Sequence, residues 1–99
     1  MVTITVDASG KATAIDSAGR SVKPNTVVSA GGGTWSYGSA ADGIWKGCWS
    51  DYVHPTDEHS ATAIIGPNED KEYNSANNWA DAQADSGWAQ TCYAYWDTY

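Results

Sequence analysis

The stretch WKGCWSDYV, residues 45–53, decides the fold class of this chain. Its aromatic and polar residues alternate in a way that is typical of a β-strand, since successive side chains of a strand point to opposite faces. One face would carry Cys48, Ser50 and Tyr52, and the other would carry Trp49, Asp51 and Val53. We therefore predict a strand here with two chemically different faces.

Further short strands are predicted on both sides of this one. Residues 2–6 and 12–16 form a hairpin pattern around a turn at residues 7–11, and 26–28 is a third short strand. Towards the carboxyl end the predicted strands are 33–38, 60–65 and 88–96. Short strands with turn signals about every 8–12 residues indicate an all-β sandwich or barrel.

Two segments between these strands are read differently. Residues 69–72, Glu-Asp-Lys-Glu, are interpreted as a solvated charge run. Residues 79–85 fit a short helix capped by Asn77 or Asn78, but they also alternate as a strand does. We favour the strand, because Asp85-Ser86-Gly87 then makes a hairpin turn into the last strand.

The three consecutive glycines at Gly31-Gly-Gly33 suggest a boundary in the chain. We place an N-terminal β-hairpin extension at residues 1–30 and the principal unit at residues 31–99. The whole chain, at 99 residues, is short enough to form one domain around one core.

Charge and composition exclude several function classes. The net charge is −7, and the five basic residues do not cluster, so nucleic acid is not an expected partner. No stretch approaches the ~20 apolar residues of a membrane span. The chain contains six Trp and six Tyr but no Phe. Such rings fill a β-core, but they also stack on sugars and dominate protein interfaces.

Two cysteines, Cys48 and Cys92, offer two interpretations. In an exported domain they form a disulfide, and closing a loop of about 45 residues would contribute on the order of 4 kcal/mol. In a reducing compartment they would be buried free thiols. We favour the disulfide and export, although no leader pattern precedes Thr3.

Residues 31–99 resemble the lactococcin 972 family of bacteriocins. The resemblance lies in an ordered set of aromatic, glycine and histidine motifs: Gly32-Gly33-Thr34-Trp35, Tyr37-Gly38, Trp49-Ser50-Asp51-Tyr52, His54, His59-Ser60-Ala61-Thr62, Trp79-Ala80 and Tyr93-Ala-Tyr-Trp96. It implies an antiparallel β-sandwich of two small sheets. It also implies a secreted, non-enzymatic antibacterial protein that binds a cell-envelope target such as the precursor lipid II and blocks cell-wall or septum synthesis. A cognate transporter-type immunity system would accompany it.

The residues proposed to bind the target are those that the motifs share, namely Trp35, Tyr37, Trp49, Tyr52, His54 and His59. Lipid II presents a pyrophosphate, which an acidic chain can approach through a bridging divalent cation. The candidate cation ligands are Asp57 and Glu58, which lie between the two histidines. The alternative is a polar loop in which a histidine hydrogen-bonds a neighbouring strand.

Two other functions are alternatives. A non-toxic binding module for a surface glycan or a partner protein would use the same aromatic residues. A small cell-wall hydrolase is poorly supported, because His59 and Ser60 are adjacent on a strand and would point apart. We therefore predict a protein that is not an enzyme.

Overall fold

The computed structural model describes residues 2–6, 12–16, 21–22 and 26–99, and every regular element within them is a β-strand. The strands are β1 (Val2–Val6), β2 (Ala12–Asp16), β3 (Ser21–Val22), β4 (Thr26–Ala30), β5 (Gly33–Asp42), β6 (Trp45–Val53), β7 (His59–Ile65), β8 (Asn68–Asn74), β9 (Ala80–Ser86) and β10 (Cys92–Thr98). These residues include no helix that is long and apolar enough to cross a bilayer.

The strands form two antiparallel sheets, which confirms the predicted all-β sandwich. One sheet has six strands in the order β3-β2-β1-β10-β7-β8, and the other has four in the order β4-β5-β6-β9. The predicted N-terminal hairpin is present, since β1 pairs with β2 from Val2 to Val6. The predicted turn at residues 7–11 lies outside the described residues. Strand β1 also pairs with β10, so the hairpin forms part of the six-stranded sheet.

The glycines at the predicted boundary form a tight turn. Gly31 and Gly32 have φ angles of 58° and 84°, a region that glycine enters without steric cost. They connect β4 to β5, which pair along all five residues of β4, from Thr26 to Ala30. The backbone pairing therefore crosses the boundary proposed at residues 30 and 31. Independent folding of residues 31–99 remains a prediction.

The core lies between the sheets and combines large rings with small side chains. Strands β7, β9 and β10 together present six alanines inwards, and the rings from β5 and β6 fill the space that these alanines leave. The buried hydrophobic residues are Ala14, Trp35, Tyr37, Cys48, Tyr52, Ala61, Ala63, Ile65, Ala80, Ala82, Ala84, Cys92 and Ala94. The alternation predicted for residues 45–53 is confirmed, because Cys48, Ser50 and Tyr52 are all buried.

Cys48 and Cys92 are joined, which confirms the predicted disulfide. Their sulfurs are 2.06 Å apart and their Cα atoms 5.5 Å apart. Because Cys48 lies in β6 and Cys92 in β10, the bond connects the four-stranded sheet to the six-stranded sheet through the core.

Three further segments complete the two sheets. Residues 79–85 form the strand that we favoured, β9. The charge run at 69–72 is mostly exposed, as predicted, and it forms part of β8 at the edge of the six-stranded sheet. Charged side chains are tolerated there, because they discourage another strand from pairing with the edge. The last strand begins at Cys92 and not at Trp88, which lies in the loop before it.

Candidate target-binding site

Three of the four aromatic residues that we predicted to contact a target lie in the core. Trp35, Tyr37 and Tyr52 are 5%, 2% and 0% exposed, because their positions in β5 and β6 point between the sheets. Their polar tips are also occupied: Trp35 Nε1 donates to Ser50 Oγ at 2.9 Å, and the Tyr52 hydroxyl donates to the Ala30 carbonyl at 2.7 Å. In this structure they organise the core, and a role for them in target contact remains a prediction.

His54 fastens two turns to each other. Its Nδ1 accepts hydrogen bonds from the backbone N–H groups of Asp57 at 3.0 Å and Thr56 at 3.2 Å. Because Nδ1 is an acceptor, Nε2 carries the proton and donates to the Gly31 carbonyl at 3.2 Å. The side chain thus joins the turn after β6 to the turn between β4 and β5.

His59 performs a similar task from a fully buried position. Its Nδ1 lies 2.9 Å from the Asp57 carbonyl oxygen, and its Nε2 lies 2.7 Å from that of Asn78. The ring also packs edge-on against Tyr52, with the two ring centroids 5.7 Å apart. All four ring nitrogens of His54 and His59 therefore face protein atoms, which supports the structural alternative for both histidines.

The loop between the histidines carries the two predicted cation ligands. Asp57 is half-buried and Glu58 is exposed. Within residues 26–99, whose side chains the structure describes, no three histidine, cysteine or carboxylate side chains converge as a metal site would require. A cation at this loop would need ligands from water or from the target, and it remains a prediction.

Trp49 is the one predicted aromatic contact with an accessible side chain, being half-buried. It lies on the outer face of the four-stranded sheet, where β6 pairs with β5 on one side and β9 on the other. Gly38 is directly across from it on β5, and Gln83 is directly across on β9. Two residues further along β6, Asp51 pairs with Asp81 of β9. A cleft of about 330 Å³ is lined by Trp49, Asp51, Asp70, Asp81, Ala82 and Gln83.

The carboxyl groups of this cleft have different electrostatic environments. Partial burial raises the pKa of Asp51 to about 6, and the nearby charge of Asp81 and a hydrogen bond with that residue add to the effect. Asp70 reaches the cleft from β8 and accepts a hydrogen bond from the Gln83 backbone N–H at 2.9 Å. That bond satisfies a backbone group at the free edge of β9.

Sequence reasoning singled out Trp49 but missed the residues around it. The alternation of residues 79–85 placed Asp81 and Gln83 on one strand face, which was the available signal. It contained no information that β9 pairs with β6, because that pairing joins segments about 30 residues apart in the chain. Asp70 gave no signal at all, since it lies in the other sheet.

Residues 31–96, from the β4–β5 turn to Trp96 of β10, match the bacteriocin family Lactococcin 972. The chain belongs to this bacteriocin family. No curated protein and no solved structure matches the bacteriocin in the corresponding comparisons.

The family match of this bacteriocin begins at a structurally defined point. Its first residue, Gly31, packs so closely against Trp96 that a Cβ atom at Gly31 would collide with the Trp96 ring. The same glycine carbonyl receives the hydrogen bond from His54. The first and last matched residues of the family pattern are thus neighbours in space, and one of its histidines holds the turn that brings them together.

Proposed function

We propose that this bacteriocin is a secreted, non-enzymatic protein that binds a component of the target cell envelope and blocks cell-wall or septum synthesis. The observation that carries the proposal is the family match over residues 31–96. Lipid II is the leading candidate target, and a cognate transporter-type immunity system would protect the producing cell.

The disulfide supports the proposed secretion. Cys48 and Cys92 are bonded and fully buried. Disulfides persist in oxidising compartments and are rare in the cytosol, and small exported domains depend on them for stability. A cross-link between the two sheets therefore suits a protein that works outside the cell.

The charge of the bacteriocin supports action on wall synthesis over attack on the membrane. Proteins that disrupt membranes from the surface usually present cationic amphipathic segments, which anionic lipids attract. This chain carries a net charge of −7, which opposes such attraction. We expect the membrane potential of target cells to survive while incorporation of wall precursor stops.

The same charge makes direct capture of a pyrophosphate unfavourable, and we propose that a divalent cation bridges the two. Calcium accepts six to eight oxygen ligands, so two carboxylates, phosphate oxygens and water can share one ion. Asp57 and Glu58 are adjacent in the loop after β6 and offer carboxylates to such a bridge.

Two measurements test this function. Purified protein is added to growing Gram-positive cells, and wall-precursor incorporation and membrane potential are followed together. Loss of incorporation at unchanged potential supports the proposal, whereas prompt depolarisation contradicts it.

Binding to lipid II in liposomes is then measured with calcium and with chelator. The test variant is Asp57→Ala/Glu58→Ala, and the control is Glu69→Ala/Glu72→Ala, which removes the same charge from β8. Binding that needs calcium and fails only in the test variant supports the bridge. Binding that is unaffected by chelator supports lipid II as the target and contradicts the cation bridge. Absence of binding in both conditions contradicts lipid II as the target.

A second candidate function, a non-toxic binding module for a surface glycan or partner protein, is favoured by exposed aromatic residues. Trp45, Trp79 and Trp88 are between 42% and 53% exposed, so their rings are available to stack on a sugar or to contact a partner protein. Binding to cell envelopes without any growth inhibition would favour this second function.

A further inference from the structure

Four side chains on the outer face of the four-stranded sheet form what we call the Trp49 patch: Trp49, Asp51, Asp81 and Gln83. Their register makes a rectangle, with Trp49 opposite Gln83 and Asp51 opposite Asp81. Side chains directly opposite on antiparallel strands are about 5 Å apart, and neighbours on one face of a strand are about 7 Å apart. The patch therefore covers about the area of one sugar ring.

The aromatic member of the patch has no evident task in the core. Trp49 points away from the disulfide and from Tyr52, which occupy the inner face of the same strand. Its neighbours on β5, Ser36 and Gly38, are small, so they leave room above the sheet. Trp49 remains half-buried in a cleft that opens to solvent between β6, β9 and Asp70 of β8.

The two carboxyl groups of the patch are also not explained by folding. Like charges directly opposite each other on neighbouring strands destabilise a sheet. Asp51 and Asp81 are in that arrangement, and the described side chains place no cation in the same cleft. Local arrangements that cost stability are frequently found at functional sites.

The chemistry of the patch selects among ligands. Its carboxyl groups repel phosphates and carboxylates, while they accept hydrogen bonds from hydroxyl and amide N–H groups. The Gln83 amide both donates and accepts, and it is exposed. An aromatic ring with a few convergent polar groups is the usual composition of a site that orients a small, uncharged ligand.

We propose that the Trp49 patch binds a neutral pyranose glycan, with the apolar face of a sugar ring against Trp49. Asp51, Asp81 and Gln83 hydrogen-bond its hydroxyl or acetamido groups. This inference rests on the proposed function only in that the glycan belongs to the cell envelope, and binding itself requires no antibacterial activity.

The proposal is tested by titrating the intact, disulfide-bonded protein with tetra-N-acetylchitotetraose and cellotetraose, using calorimetry and amide chemical shifts. We expect at least one of the two glycans to bind and to shift the amides of β6 and β9. Trp49→Ala should weaken that binding about tenfold or more, and Trp49→Tyr should retain most of it, since a ring remains. The matched control is Tyr73→Ala, which removes an exposed aromatic ring from β8.

A second variant guards against misfolding. Gln83→Ala changes an exposed side chain, so it should keep the native melting temperature and still weaken binding several-fold. Failure of both glycans to bind, or equal binding by native protein and Trp49→Ala, overturns the proposal. Stronger binding of a lysine-rich peptide than of either glycan also overturns it, because the patch would then be a cation site.

The glycan test and the killing assay have separate readouts. Glycan binding without growth inhibition supports the proposed glycan site and contradicts the proposed antibacterial function. If the native chain binds no glycan and Trp49→Ala still inhibits growth, the antibacterial function is supported and the proposed glycan site is contradicted.

Discussion

Trp35 and Ser50 are joined by a hydrogen bond from the indole Nε1 to the serine Oγ, 2.9 Å long and buried. Ser50 Oγ then donates to the carbonyl of Tyr95 at 2.7 Å. Because Trp35 and Ser50 belong to the four-stranded sheet and Tyr95 to the six-stranded sheet, one hydroxyl connects the two layers through polar contacts. It satisfies a buried donor and a backbone acceptor at once.

Replacing this hydroxyl should destabilise the sandwich. Ser50→Ala leaves the Trp35 N–H and the Tyr95 carbonyl without their partner, which we expect to lower the free energy of unfolding by about 1–3 kcal/mol. Chemical denaturation measures the change. Ser36→Ala on the outer face of β5 serves as the control, and a similar loss of stability in both variants would contradict a specific role for the Ser50 hydroxyl.

Removing the disulfide should have a larger effect. The cysteines are 44 residues apart in sequence, and the chain-entropy relation gives about 4 kcal/mol for a loop of that length. We expect Cys48→Ala/Cys92→Ala to melt far below the native chain or to be unfolded at 37 °C. Calorimetry of both chains tests this, and an unchanged melting temperature would show that packing alone holds the sheets together.

His59 should matter for stability and not for direct target contact. His59→Ala opens a cavity beside Tyr52 and removes the ring from the carbonyls of Asp57 and Asn78, at an expected cost of about 2–4 kcal/mol. Glu58→Ala, at an exposed neighbour, should change little. The decisive comparison is target binding below the melting temperature of each variant, where folded His59→Ala should bind as the native chain does.

Asp51 gives the stability of the protein a predictable dependence on pH. Its pKa is near 6 in the folded state and near 3.8, its ordinary value, in the unfolded chain. Between those values the folded state binds more protons, so the contribution of Asp51 to stability falls as pH rises from about 4 to about 6.

Asp51→Asn should remove that fall and stabilise the protein at pH 7, because it removes a partly buried negative charge and its repulsion with Asp81. Urea midpoints measured from pH 4 to pH 7 for both chains provide the test. Parallel curves for the two proteins would rule out Asp51 as the source.

Residues 31–99 should fold without the N-terminal segment, although less stably. Among the described residues, Ala14 is the only buried core residue before residue 31, Ala30 packs against the core, and the disulfide lies wholly after residue 31. Truncation nevertheless removes β1 from β10 and β4 from β5. We expect a cooperative melt at reduced temperature for 31–99 and partial recovery for 26–99, which regains β4. An unfolded 31–99 chain would show that the boundary does not separate an autonomous unit.

Sequence alone determined the features that depend on local pattern. Alternation at residues 45–53 placed Cys48 and Tyr52 on one face of a strand and Trp49 on the other, since the period of two follows from strand geometry. The presence of two cysteines in a small domain predicted the Cys48–Cys92 disulfide, which the structure confirms. The ordered motifs from Gly32 to Trp96 identified the family.

Only the tertiary structure decided which aromatic residues face the core and what surrounds those that do not. Trp35 and Trp49 belong to the same family motifs, yet Trp35 is buried and Trp49 lies beside Asp51, Asp81 and Gln83. The difference depends on which face of the four-stranded sheet meets the six-stranded sheet and on the pairing of β6 with β9. Both the packing of the two sheets and the pairing of β6 with β9 are contacts between segments that are distant in the sequence. A local sequence pattern does not specify which strand it pairs with, because the register is fixed by packing across the whole sandwich.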